Sequence, residues 1–336
     1  MKIQVSSYTP EWHNRLLEYM KSVYPHRDVK YLEWWISNID YSDAECWEKC
    51  TIIMDDTRII GCTTVNDARI LIDSVESRFF SRGNTIVSAN LRGKGLSKEI
   101  YKRVNLYDNW FSVGVTDIAW KIQPKYVRNF TPIIPVRVYI SFSLKGLFSY
   151  MMRKLFSHKK DLNSLFPTNF NLNKREKFEK VDDVGSLNIP KDGRWTSDAI
   201  ELVRDKSFFK KRYEDLYCHD RYHIYQYLLD ENTEGYIVLR STFYKGLDMI
   251  SLVDFRFRNR DDETKALKAA VKVAGMCGIA LVITLTSRMW GNILSPLTIK
   301  TKKKLHSAVG MKEIADKFSV MLITSADSDL DFVYYI

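Results

Sequence analysis

The spacing of apolar residues changes at Gly93, and that change limits the fold more than any other feature of the chain. Upstream, Cys50 to Thr64 reads as a β-hairpin. Thr51-Ile52-Ile53-Met54 and Ile59-Ile60-Gly61-Cys62-Thr63-Thr64 flank the turn residues Asp55-Asp56-Thr57-Arg58. Two more strands are expected around Ala68 to Val75 and Asn84 to Ala89. Downstream, Leu96, Ile100, Tyr101 and Val104 recur at intervals of three and four, which is one face of a helix. Between the two patterns stands Arg92-Gly93-Lys94-Gly95-Leu96-Ser97.

A glycine-bearing turn from strand to helix exposes backbone N–H groups that have no partner inside the helix, and the helix dipole adds positive character at the same end. A pyrophosphate fits such a place. Gly93 and Gly95 let the backbone approach phosphate without a Cβ in the way, and Arg92 and Lys94 add charge at the rim. The Ser97 hydroxyl can add a further contact. The loop lacks the Gly-Lys-Ser/Thr ending of a Walker-type loop and the third glycine of a dinucleotide fingerprint.

With 336 residues the chain exceeds what one core usually serves, so two domains are expected. The remaining elements divide accordingly. A first strand, Ile3 to Val5, precedes a helix with Trp12, Leu16, Leu17 and Met20 on one face, and a second helix spans Tyr31 to Ile36. After the loop come strand Trp110 to Val115, a helix from Asp117 that Pro124 interrupts, and strand Val136 to Ser141. The second half repeats this order: hairpin Tyr225 to Leu229 and Gly235 to Arg240, strand Met249 to Phe255, helix Asp262 to Ala274, strand Ile279 to Leu285, a helix near Ile299 to Val309, and a strand pair through Met321 and Phe332. The expected domains are 1–141 and 195–336, joined by 142–194, within which 161–180 reads as linker.

The joining segment opens with an apolar stripe, Leu144, Leu147, Phe148, Met151, Met152, Leu155 and Phe156, on a helix that also carries Lys145, Arg153 and Lys154. Packing between domains is the favoured account of this stripe. Peripheral contact with anionic lipid through 144–156 is the other.

The formal net charge of +10 favours an anionic partner. Five cysteines without Cys-x-x-Cys spacing point to a reducing, cytoplasmic setting. No stretch is apolar enough to span a membrane or serve as a signal peptide. His219 and His223 could share a helix face, but without a His-Glu-x-x-His arrangement a structural use is favoured, and no metal is expected. The run Lys300 to Lys304 reads as a solvated helix face.

The loop and the element order around it resemble the GNAT superfamily of N-acyltransferases. That family's cofactor loop has the pattern Arg/Gln-x-x-Gly-x-Gly/Ala, matched here by Arg92, Gly95 and Ser97, the last a mild departure. The second half resembles a degenerate copy, since Val253-Asp254-Phe255 leads into Arg256-Phe257-Arg258-Asn259-Arg260 with no glycine. Tandem GNAT proteins of bacterial surface-polysaccharide clusters are similar in layout. The resemblance implies an α+β fold with two central, mostly antiparallel sheets flanked by helices. It implies acyl-CoA, acetyl-CoA first, as co-substrate: pantetheine against Val87 and Ala89, phosphates on Arg92, Gly93, Lys94, Gly95, Leu96 and Ser97. It also implies transfer to a small amine such as an amino sugar, with the second domain shaping the acceptor site.

The catalytic groups depart from the family. Gln123 stands four residues after Ala119, where the family has its acid tyrosine, and Tyr126 is the substitute. No glutamate lies on the fourth strand, so the base would be Asp73 or Glu76 on its neighbour, or water. The rivals are a non-catalytic CoA-binding protein and a Fem-like aminoacyl transferase using charged transfer RNA. The intact loop argues against an RNA-borne donor, so no nucleic acid is expected.

Overall fold

A computed structural model describes residues 3–40, 42–155, 163–196, 198, 200–215, 219–244, 247–288 and 297–327. The chain folds as two compact units, each assembled from distant parts of the sequence. The first comprises Met1–Pro135 and Leu305–Val320, the second Val136–Lys304 and Met321–Ile336.

The first unit begins with β1 (Ile3–Ser7), followed by α1 (His13–Val23), α2 (Val29–Asp40) and α3 (Ala44–Lys49). α1 follows a turn carrying Pro10 and buries Leu16, Leu17, Tyr19 and Met20; α3 is capped by the Asp43 carboxylate, which accepts from the Cys46 amide. Next come β2 (Thr51–Asp55), β3 (Arg58–Ile72) and β4 (Val75–Val87), successive antiparallel neighbours. The strands expected separately at 59–64 and 68–75 are one continuous strand, because Val65, Asn66 and Asp67 pair with Arg82, Ser81 and Phe80 of β4 and are held in the ladder despite two turn-forming side chains. The reversal falls instead at Asp73 and Ser74, both with positive φ (49° and 71°).

α4 (Leu96–Val104) leads to β5 (Trp110–Val115), which pairs parallel to β4. α5 (Asp117–Ile122) is capped by Thr116 and gives way to a 3₁₀ turn at Gln123–Lys125, where Pro124 removes an amide donor. The other edge of β5 pairs antiparallel with the end of a late strand, Thr298–Val309, through His306 to Val309.

The second unit uses the same plan. Residues 137–142 of β6 (Thr131–Phe142) pair antiparallel with a strand far along the chain, and α6 (Leu144–Leu155) follows. Within the stretch expected as linker, β7 (Asn169–Asn171) and β8 (Glu176–Val181) form the edge of this unit's sheet. After β9 (Ile200–Leu202) and α7 (Lys206–Phe209) come β10 (Tyr222–Leu229), β11 (Asn232–Tyr244) and β12 (Leu247–Phe257), again antiparallel. α8 (Glu263–Cys277) then leads to β13 (Leu281–Thr286), parallel to β12, and β6 pairs with the other edge of β13. The core of this unit lies between the sheet and α8, whose Ala266, Leu267, Ala270, Val273 and Ala274 are buried.

The segment expected as a helix near 299–309 is β14, the late strand Thr298–Val309. Sheet pairing there overrides the helix-like run of lysines. α9 (Ala315–Phe318) packs Phe318 against Phe79 of β4 in the first unit. Phe332, expected in a last strand, lies outside the described residues.

The apolar stripe of α6 is exposed at Leu144, Leu147, Phe148, Met151 and Met152. Within its own unit the stripe stays unpacked, because the helix is held by its opposite face. Gly146 lies so close to the turn between α8 and β13 that a Cβ there would stand 1.8 Å from the Ile279 carbonyl oxygen. Phe156 lies outside the described residues.

Candidate cofactor site

β4 and β5 pair only at Phe80, Ser81 and Arg82 with Trp110, Phe111 and Ser112. Beyond Arg82 they part. Among the described residues no strand pairs with Gly83 to Val87 on the side of β5. The cause is local. Between the pairs Thr64 with Gly83 and Cys62 with Ile86, β3 has one residue and β4 has two. This bulge contains Asn84 at φ 46°, and an extra residue bends its strand and interrupts the ladder. The result is a gap lined by backbone, open at the end from which the chain enters the glycine loop.

From Val87 the chain turns through Ala89–Leu91 to Arg92 and then α4. Gly93 and Gly95 have φ of 81° and 79°, in the left-handed region that favours glycine, and a Cβ on either would meet no heavy atom within 4 Å. Their requirement is therefore conformational, and the space outside them is open. The amides of Gly93, Gly95, Leu96 and Ser97 have no backbone acceptor among the described residues. Lys94 instead donates back to Leu91 and Lys98 to Gly95. Leu96 is buried with Ile53, Ile60, Leu91 and Ile100, and Val87 packs against the same cluster. The loop is thus anchored by one side chain, while four of its amides are left without a backbone acceptor among the described residues. Arg92 and Lys94 are exposed, and Arg92 Nε donates to the Val87 carbonyl at 3.3 Å.

The structure brings Val87, Ala89 and Arg92 to Ser97 together, with Tyr126 nearby. Tyr126 follows the 3₁₀ turn and accepts at its carbonyl from Asn105 Nδ2 (2.8 Å), while Lys98, in the first turn of α4, lies 5.8 Å from its ring. Gln123, at the family's tyrosine position, is buried, and its amide oxygen has no hydrogen-bond partner among the described residues.

Asp73 and Glu76 stand apart from the site. Asp73 is in the exposed turn opening β4 and pairs with Lys317; Glu76 lies on β4 itself, exposed, 3.4 Å from Arg69. At about 3.3 Å per residue, the 11 positions from Glu76 to Val87 span roughly 36 Å of β4, and Asp73 lies in the turn beyond Glu76. A base role for either is not retained.

Two groups at the site escaped sequence reasoning. Tyr19, on α1, donates from its hydroxyl to the Ile60 carbonyl (3.2 Å) and interacts with Ser88 at the start of the loop. Burial raises its pKa, so it keeps its proton. Arg82, at the last pair before the strands part, is buried over Trp110 at 4.6 Å, and its Nε and Nη1 find no hydrogen-bond partner among the described residues. Burial lowers its pKa. The alternation Phe80-x-Arg82 was the available signal, since it sets Arg82 on a buried face.

The second unit has the corresponding junction without the opening. β12 and β13 pair from Met249 to Leu252 against Leu281 to Thr284 and then diverge. The edge of Thr286 away from β12 is taken by Arg137 of β6, so its antiparallel bridge to Thr324 lies on the β12 side. Ser287 N donates to the Ile323 carbonyl (2.9 Å), and Ile323 N to Ser287 Oγ (2.8 Å). From β12, Arg256 Nη2 donates to the Leu322 carbonyl (3.3 Å), and Asp254 Oδ1 accepts from Thr324 Oγ1 (2.7 Å). Residues 321–324 of the chain itself thus fill the place that is open between β4 and β5.

His219 sits in a 3₁₀ turn and His223 on β10, so they share no helix face. His223 stacks on Phe166 at 3.7 Å, and burial pushes its pKa down to about 3, making it a neutral core residue. Among the described residues no His, Cys, Asp and Glu cluster is arranged to hold a metal, and no helix is long and apolar enough to cross a membrane.

No protein-family model matches this sequence, and no curated protein matches it. Solved structures do. The chain is similar to a GCN5-related N-acetyltransferase from Anabaena variabilis (10% identity, TM-score 0.57, covering 91% of this chain and 72% of that one). It is similar to a probable N-acyltransferase from Enterococcus faecalis (10%, 0.59, 94% and 75%) and to a GCN5-related N-acetyltransferase from Kribbella flavida (11%, 0.51, 91% and 71%). The chain therefore has the fold of the GCN5-related N-acetyltransferases.

Proposed function

We propose that this protein is an acyl-CoA-dependent N-acyltransferase, built as a tandem of which only the first half holds cofactor, and that it transfers an acetyl group to a small amine such as an amino sugar. One observation carries the reading: β4 and β5 part after Arg82, and the glycine loop that β4 runs into has four amides without a backbone acceptor among the described residues. Those amides, on Gly93, Gly95, Leu96 and Ser97, fit a pyrophosphate, with Arg92 and Lys94 at the rim. Backbone groups of Val87 and Ala89 face the pantetheine as an added strand would. The buried Arg82 guanidinium sets a fixed positive charge at the closed end of the gap.

In the reaction the neutral amine nitrogen bonds to the thioester carbonyl carbon, and amides of β4 steady the oxyanion. The carbon–sulfur bond then breaks, Tyr126 gives its proton to the departing thiolate, and water takes the proton from the new amide nitrogen.

Release of CoA thiol with a panel of amines tests this. Sustained, acceptor-dependent release is expected, and Tyr126→Phe should lower kcat about a hundredfold with the Kd for acetyl-CoA unchanged. An unchanged kcat removes Tyr126 from the chemistry. Tight acetyl-CoA binding without release for any amine would support a pure binder, the reading that Gln123 in place of the family's tyrosine favours.

A further inference from the structure

An amphipathic helix on a globular protein ordinarily turns its apolar stripe inward. α6 does the reverse. Phe148 is 67% exposed, Leu144 64% and Met151 56%, with Leu147 and Met152 also exposed, and the small residue Gly146 takes the packed face. Gly275 of α8 continues that close contact, since a Cβ there would stand 3.0 Å from Ser143 Oγ. Flattening the inner face in this way fixes the stripe outward.

The sequence through and just after the stripe carries charge of one sign. From Leu144 to Lys160 the sequence holds Lys145, Arg153, Lys154, Lys159 and Lys160 and no acidic residue. The start of β14 is tied to the end of β6 immediately before α6: Phe142 N donates to the Leu297 carbonyl (3.1 Å), and Ser141 Oγ and Thr298 Oγ1 are 2.8 Å apart. From there β14 exposes Ile299 (55%) and then Lys300, Lys302 and Lys304. An apolar ridge bordered by lysines is thus built from two elements of one unit.

We propose that α6 docks this protein in the interfacial plane of an anionic lipid surface, its stripe among the upper acyl chains and its lysines on the headgroups. At 12 residues, roughly 18 Å, the helix is too short to span a bilayer and long enough to lie in its surface. A second copy of the chain fits this face less well, because two-fold pairing would set the basic borders against each other. The inference holds whether or not the glycine loop binds acyl-CoA.

Co-sedimentation of the full chain with vesicles tests it. Vesicles of phosphatidylcholine with about one-third phosphatidylglycerol should retain the protein at low salt and release it as salt rises, while phosphatidylcholine alone should retain little. The double variant Leu147→Glu, Phe148→Glu alters only exposed positions, so its thermal unfolding should match the parent while its bound fraction falls about tenfold. No retention by the anionic vesicles would overturn the proposal. So would equal retention of the double variant, or a variant that loses only self-association in a protein that never binds vesicles.

Discussion

Replacing Gly95 with aspartate is expected to weaken acetyl-CoA binding about a hundredfold while leaving the fold intact. Gly95 holds φ at 79° as the cap of α4, a left-handed conformation that aspartate tolerates better than most residues, as Asp56 and Asp73 show, so the fold is kept. The open space beyond its Cβ position means the cost is not a clash with the protein. An acidic side chain would enter the place assigned to phosphate. Loss of one charge-assisted hydrogen bond costs about 1.5–3 kcal/mol, whose upper end is about two decades in Kd, while the backbone strain is carried by the free protein as well and does not enter the affinity. Calorimetry of the variant, with circular dichroism to check the fold, reads this directly. Undiminished affinity in a folded variant would show that the loop does not hold the cofactor.

The largest effect on stability is expected at Asp254. Its Oδ2 accepts from Arg204 Nε (2.8 Å) and the Tyr236 hydroxyl (2.9 Å), and its Oδ1 from Arg256 Nη1 (3.0 Å), Thr324 Oγ1 (2.7 Å) and Phe255 N (3.0 Å). Arg204 also pairs with Asp327, and all four charged groups are buried. Asp254→Ala would leave two buried guanidiniums short of their counter-ion, a loss of about 3–5 kcal/mol. Domains commonly have only about 5–15 kcal/mol of stability in total, so the denaturant midpoint should fall sharply. A loss below about 1 kcal/mol would contradict the account of this cluster.

The same group sets an acid limit. Burial alone would raise the Asp254 pKa, but the Arg204 and Arg256 guanidiniums and the Thr324 hydroxyl outweigh it and hold the carboxyl below its ordinary value. A carboxyl lowered in the folded state contributes stability that is complete above the unfolded value, near ~3.9, and is lost as pH falls through the lowered one.

The features legible in sequence were those with a local cause. Two glycines at a change of period announced the loop, and Leu96, Ile100, Tyr101 and Val104 announced the buried face of α4. What escaped depended on distant partners. β14 became a strand because β5 offers it an edge at His306 to Val309, some 190 positions earlier in the chain, and nothing in Lys300 to Lys304 signals that. The filling of the gap in the second unit was equally hidden, since Leu322 and Thr324 meet Arg256 and Asp254 only after folding. The stripe of α6 is legible as a stripe, but its outward direction follows from Gly146 against Ile279, a contact with a residue more than 130 positions away. Asp73 and Glu76 are the acids expected on the strand beside the fourth, but Asp73 falls in the turn before β4 and Glu76 at the end of that 13-residue strand far from the loop.

The central claim is that the gap between β4 and β5 and the glycine loop hold one acyl-CoA, while the chain's own residues 321–324 close the second place. Titration of acetyl-CoA into the full chain by calorimetry tests it most directly. The account predicts one saturable site per chain; no measurable binding would contradict the loop's role, and two equivalents would contradict the closure of the second half.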